Sequence, residues 1–255
     1  MRQSKKDAEN DRSDKPFRIT ITEQGPYLVY GRPPLSVQYI TPDKNNESWD
    51  FREGRHFSTE TEPTALCRCG SSKRHPYCDG SHAQAQWDSR LTAATTTRPD
   101  EIEIIEGATV DLLDISKFCV FARFCHPAGD AWELTERSAS PEARQLAIQE
   151  ASMCPSGRLT ARDHRTSQAF EFRFEPGLAL LEDPAIGSSG GLWVRGGIPI
   201  RRPNGETDEI RNRVVLCRCG QSSNKPYCDG THAAVKWRDG IASESVSETQ
   251  PEEVY

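Results

Sequence analysis

The chain is short of apolar residues. They make up 35% of its 255 residues, and aromatics only 8%, which is low for a globular protein. No apolar run approaches the roughly 18–20 residues of a membrane-spanning helix, so no membrane span is expected. Positive charge is not in excess either. Against 38 acidic residues stand 32 Lys and Arg, a net charge of −6, which gives no support to a nucleic-acid role and its basic face. The opening stretch, MRQSKKDAENDRSDKP, lacks the apolar segment of a secretory signal and is too acidic for a mitochondrial presequence. A cytoplasmic location is therefore expected. What the chain does have is 18 glycines, 17 prolines and nine cysteines. In a reducing compartment such cysteines are metal ligands more naturally than disulfides, and an odd number cannot pair completely. The length suits two modest domains, or one duplicated domain with an insert. Small loop-rich units of this composition draw part of their stability from bound metal.

One stretch occurs twice. Residues 67–82 read CRCGSSKRHPYCDGSH, and residues 217–232 read CRCGQSSNKPYCDGTH. Cys67, Cys69, Cys78 and His82 return as Cys217, Cys219, Cys228 and His232 at a constant offset. The match continues into Trp87 and Trp237. It also extends backwards: GPYLVYGRPPL at residues 25–35 lies over GGLWVRGGIPI at residues 190–200. The repeated unit is a module of strands plus metal loop. The first copy carries about 15 extra residues between strands and cysteines, within the polar stretch 43–62, where a surface loop tolerates them.

Local patterns place the elements. FRITIT, YLVY and LSVQYI read as three short strands, and residues 211–216 (RNRVVL) as a fourth. Between the copies, EIEIIEG reads as a strand and ATVDLLD as a turn or short helix. PEARQLAIQEASM reads as a helix with proline in its first turn. AFEFRFE, residues 169–175, alternates like a strand. The stretches 1–16 and 241–255 read as polar tails.

Three cysteines and a histidine suit a structural zinc site. The spacing here, Cys-x-Cys-x8-Cys-x3-His within sixteen residues, instead resembles the CDGSH iron–sulfur domain family. Its motif is met in full by Cys67, Cys69, Ser72, Pro76, Cys78, Asp79, Gly80, Ser81 and His82. Cys217, Cys219, Ser222, Pro226, Cys228, Asp229, Gly230, Thr231 and His232 meet it again. The resemblance implies one [2Fe–2S] cluster per motif, with Cys67 and Cys69 (or Cys217 and Cys219) on one iron. Cys78 and His82 (or Cys228 and His232) would hold the other. Thiolates suit such clusters, and an imidazole in place of a thiolate raises the reduction potential. The histidine is also the ligand that can take up a proton near neutral pH. Gly70 and Gly80 allow tight turns, and the CDGSH segment reads as a helix start with Asp79 or Ser81 as cap. His75 reads as a solvated loop residue. Tyr77, Tyr227, Trp87 and Trp237 read as local core, and Arg68 and Arg218 as either charge partners of the cluster or a solvated face.

Cys119, Cys125 and Cys154 lie outside the repeat. Cys-x5-Cys followed by Cys-Pro resembles the divergent single-cluster ferredoxins, which implies a [3Fe–4S] cluster, or a [4Fe–4S] cluster if a fourth ligand such as His126 joins. Buried reduced thiols are the alternative. The expected fold class is α+β. Two small β-rich CDGSH modules, 17–95 and 177–240, flank a ferredoxin-like α+β domain, 100–176, and the resemblance leaves open that they pair as an internal pseudo-dimer. The expected role is electron transfer or redox sensing with a redox partner protein, the alternative being cluster storage or transfer to an apo-protein acceptor. No nicotinamide, flavin or P-loop fingerprint is found, and no helix follows the glycine-rich GGLWVRGG. The chain is not expected to be an enzyme.

Overall fold

A computed structural model describes residues 17–45 and 47–241. The tail expected over 1–16 lies outside them, as does that over 241–255 apart from Ile241, which is buried in the core. The first copy holds β1 (Arg18–Ile21), β2 (Tyr27–Tyr30), β3 (Leu35–Pro42), β4 (Ser48–Phe57) and β5 (Thr64–Leu66). The insert holds β6 (Glu103–Ile105), β7 (Val110–Asp114), α1 (Ala131–Glu136), α2 (Pro141–Met153), β8 (Leu159–Asp163) and β9 (Ala169–Phe170). The second copy holds β10 (Gly177–Asp183), β11 (Ser188–Arg195), β12 (Ile200–Arg201), β13 (Arg213–Leu216) and α3 (Thr231–Ala234). The architecture is mixed α+β, mostly sheet with few helices. Among the described residues no helix is long and apolar enough to cross a membrane.

The two copies exchange strands. One sheet runs β12-β1-β2-β5, and a second runs β13-β11-β10-β3-β4. The strand that follows each hairpin leaves its own copy and joins the other copy's sheet in parallel. Leu35 aligns with Leu178, and Ile200 aligns with Ile19. Alternation in β1 and β2 sends Ile19, Ile21, Tyr27 and Val29 inward, and they meet Leu35, Leu178, Leu192, Val194 and Ile200 from the crossing strands in one core. Residues of both copies thus share a single apolar interior.

Several sequence expectations change here. The extra residues of the first copy are not a loop: most of them form β4, a ten-residue strand with mainly exposed side chains that pairs with β3. ATVDLLD is a strand, β7, rather than a turn or helix, because Val110 and Leu112 pack under α1 and α2. The stretch 169–175 pairs only at Ala169 and Phe170, and the long buried strand begins later, at Gly177.

The insert is a four-stranded antiparallel sheet, β6-β7-β8-β9, backed by the two helices. Asp130 caps α1 by accepting the Trp132 N–H at 3.0 Å. Pro141 opens α2, as the sequence predicts, and Cys154 ends it. Buried Arg213 of the second copy then ties down that end. It donates to the carbonyls of Cys154 at 2.7 Å, Ala151 at 3.0 Å and Leu159 at 3.0 Å.

Candidate metal centres

Each repeated loop turns back on the last strand before it. Cys67 N–H donates to Pro76 O and Cys78 N–H to Ala65 O; in the second copy Cys217 N–H donates to Pro226 O and Cys228 N–H to Val215 O. Ser72 and Ser222 hydroxyls donate to the carbonyls of Tyr77 at 2.7 Å and Tyr227 at 2.6 Å. The motif serine is thereby a fold residue of the loop and not a ligand. Gly80 and Gly230, both at positive φ, then start the short helices that carry the histidines. Asp79 accepts from the Ser81 and Lys73 N–H groups, and Asp229 from those of Thr231 and Ser223. These bonds hold Asp79 below the usual carboxylate range. The aspartate does reach the helix start, while the glycine occupies the formal cap.

The four candidate ligands of each loop fall into two pairs. Cys67 Sγ and Cys69 Sγ are 3.7 Å apart, and Cys217 Sγ and Cys219 Sγ 3.8 Å. Two thiolates about 2.3 Å from one tetrahedral metal stand about 3.8 Å apart. Cys78 Sγ lies 3.3 Å from His82 Nδ1, and Cys228 Sγ lies 3.1 Å from His232 Nδ1. Among the described residues no three His, Cys, Asp or Glu side chains converge as the ligands of one ion. Each set thus divides into a Cys–Cys pair and a Cys–His pair. In each Cys–His pair it is Nδ1 of the histidine that faces the cysteine sulfur.

The two thiols of each Cys-x-Cys are also linked electrostatically. The hydrogen bond between the two thiols pulls Cys67 down and pushes Cys69 up, and does the same to Cys217 and Cys219. Burial pushes the Cys228 thiol up and His232 down to about 4. The arginine within each Cys-x-Cys is buried, not solvated: Arg68 is 2% exposed and Arg218 is 3%. Arg68 donates to the carbonyls of Gly25, Thr22, Glu23 and Ser89, and stacks 4.7 Å from the Trp87 ring. Arg218 pairs with Glu182 and Asp239 and sits 5.3 Å from Trp237. His75 is likewise not a free loop residue. Its ring meets Trp237 edge-on at 5.6 Å, and its Nε2 is buried without a partner. Tyr227 is core, donating to Asp208 at 2.8 Å.

The two loops also touch each other. Trp237 Nε1 donates to Gly70 O at 3.2 Å, and both Cys69 and Cys219 line a cleft of about 630 Å³ between the copies, with Trp87 and Trp237.

In the insert, Cys125 and Cys154 pack against one small core of Val110, Leu112, Ala131 and Ala151. Burial raises the Cys125 thiol to about 12, with further contributions from Cys154 and Cys119 nearby. Cys119 also lies beside Arg158, which pairs with Asp114 at 2.6 Å. His126, the fourth donor suggested by the sequence, has other neighbours. It is half exposed, 3.8 Å from the Asp130 carboxylate and against the Trp132 ring. The loop 119–125 passes through positive φ at Phe121 and Arg123, a strained path for non-glycine residues. No glycine or asparagine stands at either position to mark that path in advance.

Comparison with known families agrees with this geometry. Residues 24–83 and 189–233 match the family of iron-binding zinc fingers of CDGSH type. Residues 105–164 match the divergent 4Fe–4S mono-cluster family. Searches of curated proteins and of solved structures found no match. The chain carries two CDGSH-type iron-binding regions flanking a divergent 4Fe–4S mono-cluster region.

Proposed function

We propose that this iron–sulfur protein holds one [2Fe–2S] cluster in each CDGSH-type loop and serves in electron transfer or redox sensing, as a carrier and not an enzyme. The observation that carries the reading is the division of each ligand set into a Cys–Cys pair at 3.7–3.8 Å and a Cys–His pair at 3.1–3.3 Å. A cluster bound there supplies one-electron exchange, at a potential raised by the imidazole ligand. The chain's own residues do the rest. The loop bonds of Ser72 and Ser222 fix the distance between the pairs. Arg68 locks its Cys-x-Cys to the turn between β1 and β2, and Arg218 locks the other to Leu181 of β10 and Gly190 of β11. The Nδ1 attachment leaves Nε2 of each histidine free to hold a proton.

The middle cysteines, Cys119, Cys125 and Cys154, are read as a third site, holding [3Fe–4S] with three thiolates, or [4Fe–4S] with a fourth ligand such as His126. The strand exchange supports reading the two copies as an internal pseudo-dimer. The partner would be a redox protein, in the cytoplasm. One observation favours cluster transfer to an apo-protein as a second reading: Cys78 and His82 are only half buried. Counting iron and acid-labile sulfide on anaerobically purified protein, with EPR, tests the assignment. Four iron per chain fits the two loops alone, and seven or eight adds the middle site. Iron or zinc without sulfide would overturn it.

A further inference from the structure

The two loops carry the same ligands, but different things lie over them. In the first copy Cys78 and His82 are partly exposed. In the second, Cys228 is 2% and His232 6% exposed. Over Cys228 and Gly230 lies the insert. Val120, Ala122 and Phe124 share one apolar cluster with Cys228, Trp193 and Val215. A β-carbon built on Gly230 would meet Phe121 Cβ at 3.2 Å and Cys119 O at 3.4 Å, whereas one on Gly80, at the matching position, would meet nothing within 4 Å. Asn224 Nδ2 donates to Lys117 O at 2.8 Å, and Arg123 pairs with Asp183 at 2.7 Å, tying both ends of the covering loop to the second copy. Ser188 Oγ adds a bond to His232 O at 3.1 Å from below. The cleft between the copies reaches Cys69 and Cys219 alike, so it does not distinguish the sites.

We propose that the duplication has been made unequal: the first CDGSH-type site is the exchange port of the chain, and the second is a closed internal site whose cover is the insert loop 119–125. The proposal rests on the iron–sulfur reading of both sites. The covering loop carries Cys119 and Cys125, so the closed site lies against the middle cysteines, while the port faces solution. An acceptor protein approaching the chain meets the Cys78–His82 pair at the first site and the Phe121 ring, itself half exposed, at the second.

The test is iron release from the iron-loaded full-length protein to a ferrous chelator, bathophenanthroline disulfonate, with loss of visible absorption followed in parallel. Release from wild type is compared with that from Cys67→Ser and Cys217→Ser, each lacking one site. The middle site is common to all three and cancels in the differences. The iron missing from the Cys67→Ser trace should be the fast fraction. The iron missing from the Cys217→Ser trace should be slower by about tenfold or more, since release there waits on local opening of the covering loop. Phe121→Gly provides a check that does not disturb ligands. Its positive φ suits glycine, so the fold is retained, and it should speed the slow fraction while leaving the fast one unchanged. Equal release from both sites, or a slow fraction indifferent to Phe121→Gly, overturns the proposal. Absence of sulfide from the untreated protein defeats instead the iron–sulfur reading, before any rate is measured.

Discussion

Gly70 abuts Cys219 so closely that no side chain fits between them. A β-carbon on Gly70 would collide with the Cys219 carbonyl, and one on Gly220 would collide with the Cys69 carbonyl. Both glycines have positive φ, +77° and +75°. Gly70→Ala should therefore destabilise the fold by at least about 1–3 kcal/mol from backbone strain alone, and it should disturb the visible spectrum of both sites, not one. Thermal melts and absorption spectra of the purified variant check this. A melt unchanged from wild type would contradict the contact.

The buried arginines separate in the same way. Arg218→Leu strands two buried carboxylates, Glu182 and Asp239, whereas Arg68→Leu strands only backbone carbonyls. Breaking a buried ion pair costs about 3–5 kcal/mol, and leaving a buried acceptor unmade about 1–3. Guanidinium unfolding should rank Arg218→Leu as the more damaging change. The reverse order would mean that the second copy relaxes around the loss.

Glu150 should make stability depend on pH. It is 2% exposed, its Oε2 has no partner, and burial pushes its carboxyl up to about 7 although the Ala128 N–H donates to Oε1 at 2.9 Å. A carboxyl raised in the folded state favours folding while protonated. Stability is therefore full below about 4.5, the unfolded value, and is lost as pH rises towards and through about 7. Glu150→Gln keeps the Oε1 acceptor and cannot ionise. Its melting temperature should exceed that of wild type at pH 8 and approach it at pH 5. Parallel pH profiles for the two proteins would refute the assignment.

Lys225 stands where the first copy has His75. Its ammonium donates to Ser222 O at 2.6 Å. Cys217 is held below the ordinary thiol value by its bond with Cys219 and, further, by backbone donors and this charge. A fixed positive charge favours the reduced, more negative state. In a redox titration followed by EPR, Lys225→Met should lower the midpoint of the second site by about 50 mV, equivalent to about 1 kcal/mol for one electron. His75→Lys should raise that of the first. No movement in either would remove the lysine from the electrostatics of the site.

The candidate ligands were legible as a motif because it is local: the eight positions are written in two sixteen-residue stretches, and the structure brings Cys67 to Cys69, Cys78 to His82, Cys217 to Cys219 and Cys228 to His232. The strands with clean alternation, Arg18–Ile21 and Tyr27–Tyr30, were legible for the same reason. Gly177–Asp183 was not. It is buried on both faces at the centre of its sheet, and such a strand shows no alternation. Ser48–Phe57 was hidden by the opposite cause. It is an edge strand guarded by charged side chains, and it reads as a polar loop. The burial of Arg68 and Arg218 depends on carbonyls and carboxylates far along the chain, and residue type alone points the other way. The crossing of Leu35–Pro42 into the other copy's sheet is a choice of distant partner, which no short window records.

That crossing has a consequence for how the chain could be divided. Severed within the insert, each fragment would keep its hairpin but lose the neighbour on one side of its sheet, β12 from one and β3 from the other. Each would be left with an open edge and a strand shaped to fill the edge of its counterpart. The halves of this protein are complementary pieces, made to find each other, and neither is a miniature of the whole.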